Sequence, residues 1–147
     1  MEIAILGLGC FWGPEVKFSK LDGVIKTEVG YCGGKSSKTT YKEVCTGTTN
    51  HAEVVKLDFD PKIISYEKIL NIFFEIHDPT TLNSQGPDFG TQYRSEIFFL
   101  NNDQKKTAEK VFSEVNHRLS GKVVTKISLL KNYCPAEEYH QKYLEKR

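Results

Sequence analysis

No run of apolar residues approaches the ~20 that a membrane-spanning helix requires. Neither a basic leader nor a small-residue cleavage site precedes the first strand-like run, Glu2 to Leu8. A cytoplasmic protein without membrane attachment is expected. An excess of one charge sign is also lacking: 20 Lys and Arg stand against 19 Asp and Glu, a net charge of +1. No global field then draws nucleic acid or anionic lipid, so recognition has to be local. Cysteine is sparse, the four being Cys10, Cys32, Cys45 and Cys134. None form a C-x-x-C pair, and His51, His77 and His140 lack close ligand spacing, which argues against a zinc site or any other bound metal. A chain of 147 residues does not need disulfide staples, so reduced thiols are expected. Repeats, low-complexity tracts and linker-like segments are missing as well, and one domain over residues 1–147 is expected.

Aromatic residues, by contrast, make up 12% of the chain, enough for an aromatic core and an aromatic-lined pocket. Strand-like runs cover Glu2 to Leu8, Ile25 to Tyr31, Glu53 to Phe59, Ser95 to Leu100 and Val123 to Leu130. Pro14 suits a first helical position and opens a helix over Glu15 to Leu21, closed by Asp22-Gly23. Ser65 caps a second helix that ends before Pro79, and Asp103 a third that stops at Ser120-Gly121. The order predicts an α/β (α+β) fold, a two-layer ferredoxin-like β-α-β-β-α-β sandwich with an extra C-terminal helix, strand and polar tail. The loops Cys32 to Ala52 and Asp78 to Arg94 are long enough to suggest function.

Gly7-Leu8-Gly9-Cys10-Phe11-Trp12-Gly13 joins the first strand to the first helix. A dinucleotide-binding glycine fingerprint fails here, because Trp12 stands where the third glycine is needed for close backbone approach. A thiol fits the turn better. Thiolate is the nucleophilic form, and a nearby helix N-terminus is expected to favour it. Phe11 and Trp12 then offer an apolar wall beside the sulfur.

Gly9-Cys10-Phe11-Trp12-Gly13 resembles the signature of the A-type peptide methionine sulfoxide reductases. The likeness continues through Gly30-Tyr31-Cys32-Gly33-Gly34, Thr40-Tyr41, Glu43-Val44-Cys45, His51 to Val55, His77-Asp78-Pro79-Thr80, Gly90 to Ser95 and Pro135 to Gln141. It implies a thiol-dependent reduction of methionine S-sulfoxide, free or in proteins, as repair of oxidative damage. It assigns Cys10 as nucleophile, Phe11 and Trp12 as walls for the substrate methyl, and Glu53 as the acid at the sulfoxide oxygen. Tyr41 and Tyr93 become hydroxyl partners of that oxygen, and Asp88 a substrate contact. The chemistry agrees, since a sulfoxide oxygen leaves only when protonated. For Glu53 to hold a proton at neutral pH it needs burial or a neighbouring anion such as the thiolate.

Attack on sulfur leaves Cys10 as a sulfenic acid, which condenses with a second thiol. The cysteines that many family members carry beyond the Tyr-His-Gln segment are absent here. Cys134 is the resolving candidate, with Cys32 and Cys45, which lie in the long loop with Tyr41 and can also reach the site, as alternatives. A direct external resolver is a further option. No bound cofactor is expected; the resemblance implies an external thiol reductant, thioredoxin or else glutaredoxin or glutathione. A monomer acting on oxidised proteins is expected. Competing readings are a cysteine hydrolase that pairs Cys10 with His51 or His140, and a non-enzymatic module that only recognises methionine.

Overall fold

The computed structural model describes residues 1–36 and 38–143. Strand β1 (Glu2–Leu8) leads into helix α1 (Trp12–Ser19), and β2 (Val24–Cys32) follows. After the short α2 (Tyr41–Cys45) come β3 (Ala52–Phe59) and α3 (Tyr66–Glu75). A two-stranded ribbon, β4 (Ser84–Gln85) and β5 (Asp88–Phe89), and a 3-10 turn at Thr91–Tyr93 precede β6 (Ser95–Phe99). Helix α4 (Asn102–Arg118), β7 (Lys126–Leu129), β8 (Cys134–Pro135) and a 3-10 turn at Glu138–His140 complete the described chain.

Six strands form one sheet in the order β7-β6-β1-β3-β2-β8. Its four central strands are antiparallel neighbours in the expected ferredoxin-like arrangement, and β7 adds on parallel to β6. Side-chain alternation divides the sheet into two faces. Leu6, Leu8, Val29, Tyr31, Val55, Leu57 and Ile97 join Phe18 of α1, Ile69 and Phe73 of α3 and Val111 of α4 in the main core. Ile5, Cys32, Val54 and Phe98 point the other way and pack against Leu130 and Tyr133. Each such side chain contributes about 1.5–3 kcal/mol by leaving water, so a one-residue register slip in any central strand is strongly disfavoured.

Several expected boundaries move. Helix α1 starts at Trp12, so Pro14 lies within the first turn rather than at its first position. The chemistry tolerates this because the first-turn N–H groups have no partner inside the helix. The α4 cap is Asn101, whose side chain accepts from Gln104 N at 2.9 Å, and not Asp103, which sits in the first turn. Ser65 caps α3 as expected, accepting from Lys68 N at 3.0 Å. The last predicted strand shortens to Lys126–Leu129 because its partner β6 is itself only five residues long. The tail is not a loose appendage: β8 pairs with the β2 edge, and Gln141 both donates to Val29 O and accepts from Val29 N at 2.9 Å. Residues 144–147 of that tail lie outside the described residues.

Candidate active site

The turn after β1 is possible only for glycine. Gly9 has φ +99°, and a Cβ there would stand 2.9 Å from the side chain of Gln85, so the β4–β5 ribbon packs directly on the turn. Cys10 emerges half-buried at this point, with its sulfur taking a hydrogen bond from the Trp12 N–H at the start of α1. Burial outweighs that bond and pushes the thiol up to about 11, with Glu53, Asp88 and Cys45 adding to the rise. This corrects the expectation that the helix N-terminus makes Cys10 a ready thiolate: desolvation penalises the charged form more than one N–H stabilises it.

Glu53 lies near the start of β3, opposite Tyr31 of β2, and is 1% exposed. The backbone N–H of Phe11 donates to its Oε1 at 3.4 Å, whereas Oε2 is buried without a partner among the described residues. Burial lifts this carboxyl to about 8, the Phe11 N–H opposes the shift, and Asp88 reinforces it. Glu53 is therefore mostly protonated at neutral pH, held so by desolvation and Asp88 rather than by a thiolate. Asp88 itself is half-buried on β5.

Tyr41 and Tyr93 come from the two long loops and meet, their hydroxyls joined by a hydrogen bond; Tyr41 also bonds the Cys45 thiol. Burial raises both phenols, Tyr93 to about 12, and Glu53 adds to each shift. They remain protonated donors at any physiological pH.

Of the two aromatic residues after Cys10, Phe11 is 1% exposed and packs on Tyr31 and His140 at centroid distances of 5.8 and 5.4 Å. Trp12 is half-buried, stacks on Tyr143 at 3.9 Å, and donates its Nε1–H to His140 Nδ1 at 3.1 Å. Burial lowers His140, so the ring is neutral and its proton belongs on Nε2, which is buried without a partner among the described residues. His140 also lies 4.4 Å from the Tyr41 ring. Glu137 closes the ring of contacts: Oε1 accepts from Tyr31 Oη at 2.7 Å and Oε2 from Tyr41 N at 2.9 Å.

Sequence reasoning gave His140 a place only as a possible hydrolase partner, and it missed Glu137 and Arg94. Both His140 and Glu137 fall in the Pro135–Gln141 segment, whose match was the available signal. Arg94 forms a buried ion pair with Glu96 at 2.6 Å and donates to Thr91 O and Asn50 O at 2.9 and 3.0 Å. It thereby ties the Tyr93 turn to the chain entering β3.

The other thiols are distributed unevenly. Cys32 is buried on the far face of the sheet and donates to Lys131 O at 3.3 Å. Cys134 is half-buried on β8, opposite Tyr31, with its sulfur 3.7 Å from Thr39 O. Cys45 is exposed at the end of α2. His51, the other imagined hydrolase partner, holds Ser36 O with Nε2 at 2.6 Å and covers Gly34. Among the described residues no three His, Cys, Asp or Glu side chains converge to hold a metal ion, and no helix is long and apolar enough to cross a membrane.

A family model described as peptide methionine sulfoxide reductase matches residues 2–147. The chain belongs to that family. It is 83% identical, over the full length of both chains, to the peptide methionine sulfoxide reductase MsrA of Pelagibacter ubique. Reduced Mxr1 of Saccharomyces cerevisiae superposes with a TM-score of 0.95 at 42% identity, covering 99% of this chain and 85% of that one. Mxr1 in complex with Trx2 is also similar, with a TM-score of 0.69 at 27% identity over 97% of this chain and 84% of that one. The enzyme is thus a methionine sulfoxide reductase, and the hydrolase and pure binding readings fall away. For a peptide methionine sulfoxide reductase, a thiol beside a protonated buried carboxyl is a chemically coherent pairing.

Proposed function

We propose that the enzyme reduces the S epimer of methionine sulfoxide by attack of Cys10 on the sulfoxide sulfur, with Glu53 as the proton donor to oxygen. The observation that carries this reading is the Glu53 carboxyl: buried, raised to about 8, tethered by Phe11 N–H, and with Oε2 left unpaired. In the resting pair both groups carry their protons. Glu53 protonates the oxygen, the Cys10 proton passes to the carboxylate left behind, and the sulfur–sulfur adduct collapses to methionine and a Cys10 sulfenic acid. The oxygen is transferred, one sulfur is reduced and the other oxidised, and Glu53 ends as it began.

Tyr41 and Tyr93 donate hydrogen bonds as charge builds on oxygen. Trp12 supplies the apolar surface for the substrate methyl, backed by Phe11, and Asp88 borders the site while keeping Glu53 protonated. A thiol resolves the sulfenic acid, and a thioredoxin-type dithiol completes the cycle, as the likeness to the Mxr1–Trx2 complex supports; glutaredoxin or glutathione is the other reductant class. Oxidised proteins are the substrates of such a repair enzyme. Anaerobic single-turnover reduction of each epimer by the prereduced protein tests the proposal. One methionine per enzyme from the S epimer alone is expected. Product from both epimers at similar rates refutes the selectivity, and product from Cys10→Ser refutes the nucleophile.

A further inference from the structure

We infer that Cys45 is the thiol that resolves the Cys10 sulfenic acid, through a Cys10–Cys45 disulfide. The inference rests on the reductase chemistry proposed above and on where the fold puts each sulfur. Cys32 belongs to the core on the opposite face of the sheet, so the β-layer stands between it and Cys10. Cys134 lies on the side of Glu53 but at the edge strand, with Tyr31 of β2 paired between them. Its sulfur is engaged with Thr39 O at 3.7 Å.

Cys45 has a different relation to the site. It follows Tyr41 by four residues on α2, which places both on one helix face. Tyr41 is held in the site by Glu137 and by the His140 ring, which in turn touches Phe11 and Trp12. The Tyr41 hydroxyl bonds the Cys45 thiol and the Tyr93 hydroxyl together. Cys45 is one of the groups whose charge raises the Cys10 thiol. Cys45 is exposed at the last residue of α2, and two residues on Gly47 has φ +77° and open space where a Cβ would stand.

In the resolving step the Cys45 sulfur attacks the Cys10 sulfur. The S–S bond forms, the S–O bond breaks, and the hydroxyl leaves as water with the Cys45 proton. An external dithiol then reduces the disulfide, becoming a disulfide itself and returning both thiols.

The test is anaerobic single turnover of the prereduced, full-length protein, measuring methionine formed, thiols lost and the cross-linked peptides after proteolysis. For the intact enzyme we expect one methionine, two thiols lost and a peptide joining Cys10 to Cys45. Cys45→Ser and Cys45→Ala should each still form one methionine but lose a single thiol, leaving a sulfenic acid trapped by a carbon nucleophile. Turnover with a dithiol reductant should fall at least tenfold in both. A Cys10–Cys134 peptide, loss of two thiols in the Cys45 variants, or loss of one thiol in the intact protein overturns the inference while leaving the reductase chemistry standing. Absence of methionine from the intact protein overturns the reading beneath it, and this inference with it.

Discussion

The backbone N–H of Phe11 meets Glu53 Oε1 at 3.4 Å across 42 residues of sequence, and the other carboxyl oxygen is buried and unpaired among the described residues. The turn that carries Cys10 thus positions the carboxyl proposed as its acid: the residue after Cys10 holds Glu53 in place. An unpaired buried oxygen costs about 1–3 kcal/mol, a cost that a hydrogen bond to the substrate would offset.

Replacing Glu53 with Gln keeps the shape and removes the proton. Single-turnover rates should fall by about 10²–10⁴-fold, the usual worth of a general acid. In the wild type, kcat/KM should be level below about 8 and decline as the pH rises through that value, because the carboxylate has no proton to give. A decline that persists unchanged in Glu53→Gln assigns it to another group.

The same raised carboxyl affects stability. Glu53 binds a proton more tightly folded than unfolded, so its favourable contribution is complete below its ordinary value of 4.5 and is lost as pH rises to about 8. Glu53→Gln should therefore gain stability over the wild type progressively across that window in urea unfolding. A constant difference from pH 4.5 to 8 contradicts this.

Cys10 in the free enzyme should alkylate slowly at neutral pH. Its rate constant should keep climbing toward pH 11, where burial places the thiol, instead of levelling near the ~8.5 of a free cysteine. Alkylation of Cys10 followed by peptide mapping across pH 6 to 11 measures this directly.

His140→Phe preserves a ring and removes the acceptor for the Trp12 Nε1–H. The loss of that bond is worth about 1 kcal/mol, and a loosened Trp12 should raise KM by about fivefold while kcat changes less. A fall in kcat with constant KM would remove Trp12 from substrate binding.

Arg94→Met should be costly away from the reacting atoms. It leaves Glu96 buried without its 2.6 Å partner and frees the carbonyls of Asn50 and Thr91. Breaking such a pair costs about 3–5 kcal/mol, readable as a lowered urea midpoint. A shift under 1 kcal/mol would mean that the clamp is dispensable.

Much of this molecule was legible as local pattern. Alternation in Val55-Leu57-Phe59 marked β3, the Ser65 cap marked α3, and the strand-turn-helix context placed Cys10, because each depends on residues within a few positions of one another. The two-residue strands β4, β5 and β8 and the five-residue α2 were not legible, since elements that short have no period and exist only against a partner: β8 against β2, the ribbon against Gly9.

The chain alone determined the position of the proposed nucleophile, the order of the elements and the family, all of which are written in contiguous motifs. Tertiary structure decided the protonation of the site. Desolvation is a property of what surrounds a group, so whether Cys10 is a thiol and Glu53 an acid at neutral pH depended on packing from β5, α1 and the C-terminal tail. Packing also put Cys32 on the far face of the sheet. Sequence context sets Cys10 apart but leaves Cys32, Cys45 and Cys134 as alternatives; a sheet with two faces makes them different.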